Sequence, residues 1–116
     1  MAEKDTEKEV PDLNKILRAV RIAQDMTAKE VAEKMGVRST YITDVERGDR
    51  TPRIETLDKY CRALNVSPDS VFSWRERQRK HSYTFQQLLM AILVAIMRQD
   101  DVQSKNKEIL HEMKQE

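Results

Sequence analysis

Apolar residues recur along most of this chain at the three- and four-residue spacing of amphipathic helices, and the breaks fall at glycine, proline and capping residues. Leu13, Ile16, Leu17 and Val20 predict a first helix over about 13–24. Val31, Ala32 and Met35 predict a second, opened by Thr27, which can cap the Glu30 amide while the Glu30 side chain reaches back. Gly36 interrupts the pattern, and Val37, Ile42 and Val45 restart it in a third helix over about 39–47. That helix is rich in β-branched residues, which are mediocre helix formers, so tertiary packing must hold it. Gly48 ends it. After Thr51-Pro52, the residues Ile54, Leu57, Tyr60, Cys61 and Leu64 form the buried stripe of a fourth helix. Ser67-Pro68, a cap followed by a first-turn proline, opens a short fifth helix ending near Trp74. No strand-like alternation persists.

Residues 75–81, RERQRKH, shift sharply toward positive charge and read as a hinge or a helix extension between two modules. A second capping box, Thr84 with Gln87, then opens another helix reaching about Arg98. Phe85, Leu88, Leu89, Ile92, Leu93, Ile96 and Met97 recur along it at helical spacing, and Met90, Ala91, Val94 and Ala95 make it apolar on most of its circumference. A helix that is apolar all round has to be buried, and a chain this short offers little else to bury it against. A partner chain is therefore expected, with those seven residues as a dimer interface. The competing arrangement is a helix folded back on its own domain around Trp74. Residues 103–116 are charged, with Ile109, Leu110 and Met113 as a thin stripe, and are candidates for a further helix folding back.

The second and third helices, joined across Gly36, have the layout of a helix-turn-helix. Glycine meets the positive φ of such a turn at no steric cost, and Ala32 is small where a larger side chain would hold the helices apart. The expected fold class is all-α: a five-helix repressor-like DNA-binding domain followed by a C-terminal helical dimerisation segment. The expected divisions are an acidic flexible tail over 1–12, the helix-turn-helix domain over 13–74, a basic linker over 75–83 and the oligomerisation segment over 84–116. The tail carries five acids and two lysines with almost no apolar content.

Residues 13–74 resemble the Cro/phage-repressor family of helix-turn-helix domains, the xenobiotic-response-element class of bacterial regulators. The resemblance is carried by Leu17-Arg18-Ala19-Val20-Arg21, by Thr27 to Met35, by Tyr41-Ile42-Thr43-Asp44-Val45-Glu46-Arg47-Gly48 with Pro52 after it, and by Leu57, Tyr60, Cys61, Leu64 and Val66-Ser67-Pro68. It implies a sequence-specific regulator that lays its third helix in the major groove of double-stranded DNA, as a dimeric repressor on a palindromic operator. Arg38, Ser39, Thr40, Thr43 and Asp44 face outward from that helix and are the expected base contacts, the last four by matching the family's reading positions. Asp44 has two uses open to it, accepting from cytosine N4 or pairing with a neighbouring arginine. Thr27, Ala28 and Lys29 at the start of the second helix, and Tyr41, Arg47, Arg50 and Arg53 on the other flank, are the expected phosphate contacts. Ala28 stands where the family commonly has glutamine. The resemblance further implies a structural ion pair between Arg21 and Glu46.

Charge and composition narrow the remaining choices. The net charge is +1, although 35% of residues are charged, so DNA affinity has to come from a local patch. One cysteine excludes an intrachain disulfide, and the acidic start resembles no signal peptide, so a cytoplasmic protein is expected. The longest apolar run, over 88–97, is half of what a membrane span needs. His81 and His111 have no ligand-like neighbours, and no phosphate loop, carboxylate pair or nucleophile–base arrangement appears, so no enzyme activity, metal or cofactor is expected. The alternative to a plain regulator is an antitoxin or regulator whose C-terminal helices bind a second protein, a toxin or an antagonist.

Overall fold

The computed structural model describes residues 8–98, and it is built from helices. In chain order these are α1 (Asn14–Ala23), α2 (Ala28–Met35), α3 (Ser39–Arg47), α4 (Ile54–Ala63), α5 (Pro68–His81) and α6 (residues 85–98). The first five enclose one core. Ile16, Leu17, Ala19 and Val20 of α1 meet Val31, Ala32 and Met35 of α2, Ile42 and Val45 of α3, and Leu57, Tyr60, Cys61 and Leu64 of α4. Apart from the Tyr60 hydroxyl, the side chains buried there among the described residues are apolar.

Local chemistry sets the helix ends. At α2 the Thr27 hydroxyl accepts from the Glu30 amide at 3.0 Å, and the Glu30 carboxylate accepts from the Thr27 amide at 2.8 Å. Those two bonds favour the charged carboxylate and hold its pKa below the usual value. Gly36 closes α2 at φ +73° with nothing within 4 Å of where a Cβ would stand. Glycine is needed there for its backbone conformation and not for space. Ala32, 2% exposed, lets α2 and α3 approach. The last carbonyls of α4 gain a side-chain partner, because Gln24 Nε2 donates to the Leu64 carbonyl at 2.8 Å.

Four features depart from the sequence reading. Residues 8–12 are no loose tail: Val10 is buried in the core, its amide donates to the Pro52 carbonyl, and Glu9 pairs with Arg53 in an isolated antiparallel bridge. One apolar residue, fixed by backbone bonds, is too short a signal for periodicity to reveal. Ile54 begins α4 half-exposed instead of joining the buried stripe, its amide tied to the Lys8 carbonyl. The fifth helix does not end near Trp74: of the two forms open to the basic segment it takes the helix extension, reaching His81, where Ser82 at φ 50° stops it, so no separate linker begins at residue 75. Arginine, glutamine, glutamate and lysine are good helix formers, and Arg79, Lys80 and His81 favour the negative end of the helix dipole.

The fourth departure concerns α6. Its capping box forms as expected, with Thr84 Oγ1 accepting from the Gln87 amide and Gln87 Oε1 from the Thr84 amide. Leu88 and Ile92, expected at a dimer interface, belong to the chain's own core, in one buried cluster with residues of α1 to α5. Phe85, Leu89 and Ile96 pack partly against that core, and the Arg18 guanidinium lies 4.5 Å from the Phe85 ring centroid. The apolar side chains left outward are Met90, Val94 and Met97. Residues 1–7, and 99–116 with the stripe Ile109, Leu110 and Met113, lie outside the described residues.

Candidate nucleic-acid interface

Recognition by a helix requires a rigid mount, and α3 has one beyond its apolar contacts. Arg21, at the end of α1, donates from Nε to Glu46 Oε2 at 2.6 Å and from Nη2 to Glu46 Oε1 at 3.0 Å. Its remaining Nη1 donates to the Met26 carbonyl at 2.8 Å, just ahead of the α2 cap. One guanidinium thus ties α1, the loop before α2, and α3. Its planar fork makes that possible, which a lysine could not reproduce. The side chains are 17% and 7% exposed, and the hydrogen bond to Glu46 raises the arginine pKa further. The guanidinium is spent on the protein itself. Tyr60 lies against the same pair, and its fully buried hydroxyl has no hydrogen-bond partner among the described residues; burial drives its pKa upward.

With Ile42 and Val45 turned inward, α3 presents Ser39, Thr40 and Thr43 to solvent, with Arg38 exposed at its N-cap. Thr43 Oγ1 donates to the Thr40 carbonyl at 3.1 Å, which fixes its rotamer. Its methyl group and its oxygen lone pairs remain for a partner. Asp44 accepts from Arg47 Nη2 at 2.8 Å, and Arg47 Nε donates to Asp49 at 3.1 Å. Of the two uses open to Asp44, pairing with an arginine is the one present. Arg47 is held between two carboxylates, so it offers less positive charge outward than its position suggests.

On the flank past α3, Tyr41, Asp49, Arg50, Thr51, Arg53 and Thr56 line an open groove of about 690 Å³ with Glu9 on its wall. Tyr41 is half-buried, its ring 6.5 Å from that of Tyr60, and the Arg50 guanidinium lies 5.3 Å over it. Burial raises the Tyr41 pKa, while Arg50 and Arg53 pull it back. Both arginines therefore bear on one phenol in one groove. At the start of α2, Thr27 and Lys29 are exposed, although the Thr27 hydroxyl is engaged in the cap. Ala28 is half-buried against the core and has only its backbone amide to offer. Glu9, Asp49 and Gln24 escaped the sequence reading; the first enters through backbone pairing, which leaves no side-chain pattern.

Cys61 is buried on α4, and burial pushes its thiol up to about 11, which keeps it protonated and unreactive at neutral pH. Among the described residues no helix is long and apolar enough to cross a membrane.

A helix-turn-helix family model matches residues 17–71, from the middle of α1 into α5. The solved structure of the clp gene regulator ClgR from C. glutamicum is 30% identical, with a TM-score of 0.56 over 58% of this chain and 87% of that one. The chain belongs to the helix-turn-helix family, in its Cro/repressor-like class. This helix-turn-helix protein is also 35% identical over 51 residues to the transcriptional regulator ClgR of Mycobacterium tuberculosis, a match covering 44% of the chain and 46% of that protein. The chain thus spans about half the length of the curated relatives it first matches. A variant of the controller protein C.Esp1396I bound to its highest affinity operator site OM shares the fold, with TM-score 0.55 and 24% identity over 58% of this chain and 88% of that one. The family match covers the elements that build the α3 face and the arginine groove. It stops before α6.

Proposed function

We propose that this protein is a sequence-specific, double-stranded-DNA-binding transcription regulator that acts as a dimeric repressor in the cytoplasm, without catalysis. The observation that carries the reading is the outward face of α3. Ser39, Thr40 and Thr43 form a hydroxyl-rich edge on a helix locked by the Arg21–Glu46 pair. A groove holding Arg50 and Arg53 lies beside it. Hydroxyls and a threonine methyl read base edges and thymine methyls, while arginines set the register on the backbone. In this reading Arg38, Ser39, Thr40 and Thr43 meet bases, Asp44 orients Arg47, and Lys29, Tyr41, Arg50 and Arg53 with the amides of Thr27 and Ala28 meet phosphates. The relatives named as regulators, and the controller protein whose name includes an operator, support it.

One such domain covers a short half-site, so two chains are needed for affinity and specificity. The pairing surface in this reading is the outer face of α6, where Met90, Val94 and Met97 are exposed, because Leu88 and Ile92 are already committed inward. Enrichment of the protein's targets from a pool of randomised duplexes tests the whole proposal. The expected product is an inverted repeat with half-sites about 34 Å apart. Thr43→Val should relax the preference at one position of each half-site by about 1–3 kcal/mol. A pool that stays random after repeated selection would refute sequence-specific recognition.

A further inference from the structure

Arg47 ends the outward face of α3 with its hydrogen-bond donors already apportioned. Thr40, Thr43 and Arg47 follow one another at three and four residues, which puts them on one side of the helix, opposite the buried Ile42 and Val45. The Arg47 side chain, 66% exposed, donates from Nη2 to Asp44 at 2.8 Å and from Nε to Asp49 at 3.1 Å. Asp49 is held in place for that bond by the turn after α3, where the Asp49 and Arg50 amides donate to the Asp44 carbonyl at 2.9 and 3.2 Å. A guanidinium has five N–H donors. The two bonds leave both donors of Nη1 and one of Nη2 without a partner among the described residues. Nη1 and Nη2 form the planar end fork of the side chain, which fits two acceptors side by side. A DNA duplex offers such a pair in two places, the phosphate group and the O6–N7 edge of guanine. Charge decides between them. One cation between two carboxylates leaves this cluster at −1, which opposes an anionic phosphate but not a neutral base edge.

We infer that Arg47 reads guanine, with Asp44 and Asp49 as positioning residues that aim its end fork. The carboxylates fix the plane of the guanidinium before DNA arrives, so less side-chain freedom is lost on binding. They also hold the arginine off the phosphate backbone, where it would add affinity without sequence information. The inference rests on the reading that the outward face of α3 meets base edges. It carries a signature that a phosphate clamp lacks. Loss of a base-reading arginine relaxes the preference at one position, whereas loss of a phosphate contact weakens all sequences alike and makes the salt dependence shallower.

The test is selection from randomised duplexes, then fluorescence anisotropy on the selected duplex and its single-base changes across a range of salt. The full chain is compared with Arg47→Lys and with the combined variant Asp44→Asn and Asp49→Asn. None of the three residues belongs to the core, and thermal melts check that both variants fold. Lysine keeps the charge, but three donors on one atom cannot serve two carboxylates and two guanine acceptors together. The full chain should select a guanine in each half-site, bound about 5- to 150-fold better than the other bases there. In Arg47→Lys that preference should collapse while the salt slope stays the same. In the combined variant the arginine is freed for phosphate, so the preference should weaken and the slope of log K against log salt should steepen by about one unit. Base preferences unchanged in Arg47→Lys, or a loss equal at every sequence, would overturn the inference and leave the α3 reading standing. An unchanged preference and slope in the combined variant would overturn the positioning role. A pool that stays random with the full chain removes the α3 reading itself, and this inference with it.

Discussion

α3 and α6 solve the same packing problem and leave opposite surfaces. Each is short, and each buries its inward side chains in the common core: Ile42 and Val45 from α3, Leu88 and Ile92 from α6. Outward, α3 shows hydroxyls beside an arginine groove, whereas α6 shows Met90, Val94 and Met97 over a cleft flanked by Arg77 and Arg98. They also differ in how they are held. α3 is locked by a two-bond ion pair reaching across from α1, a mount that would suit the base-reading role proposed for it. α6 is held by a capping box and by the burial of Leu88 and Ile92 in the core, with Phe85, Leu89 and Ile96 packed against it at the margins. A polar edge on a rigid mount suits recognition of a patterned surface. An apolar, methionine-rich face on a loosely specified mount suits packing against another protein surface.

The comparison breaks first at its strongest tie. Glu46→Ala leaves the Arg21 guanidinium largely buried without its carboxylate, and it should cost about 3–5 kcal/mol. For a domain of this size that is a fall in Tm of more than 10 °C, roughly. An unchanged thermal melt would show that α3 does not depend on the pair. Ile92→Ala sharpens the other side. If α6 belongs to the core, as its complete burial indicates, the substitution should destabilise the whole domain by about 2–4 kcal/mol in a single cooperative transition. A melt in which only a minor, separate transition moves would mean that α6 is an independent module.

Much of this arrangement was legible in the sequence. The apolar spacing from Leu13 to Leu64, the glycines at 36 and 48 and the caps at Thr27, Ser67 and Thr84 all act locally, so pattern and chemistry coincide. The candidate α3 face followed from the same spacing, since fixing Ile42 and Val45 inward leaves little choice for Ser39, Thr40 and Thr43. The rest depends on contacts between distant segments. A single valine at position 10 has no period. The Glu9–Arg53 bridge is made by backbone, which any residue supplies. The basic run after Trp74 changes composition without changing helix propensity. A helix apolar on most of its circumference does not announce which face is inward; in α6 Leu88 and Ile92 are the residues buried, and Met90, Val94 and Met97 stay exposed.

The central claim, that the two outward faces divide the work between DNA and a second chain, is tested most directly by mass in solution. Light scattering on the full chain should give twice the 13.6 kDa of one chain. The combined variant Met90→Glu and Val94→Glu, which alters exposed positions only, should give 13.6 kDa with its melting temperature nearly unchanged. A full chain that is already monomeric, or a variant that stays dimeric, would contradict the assignment of the outer α6 face.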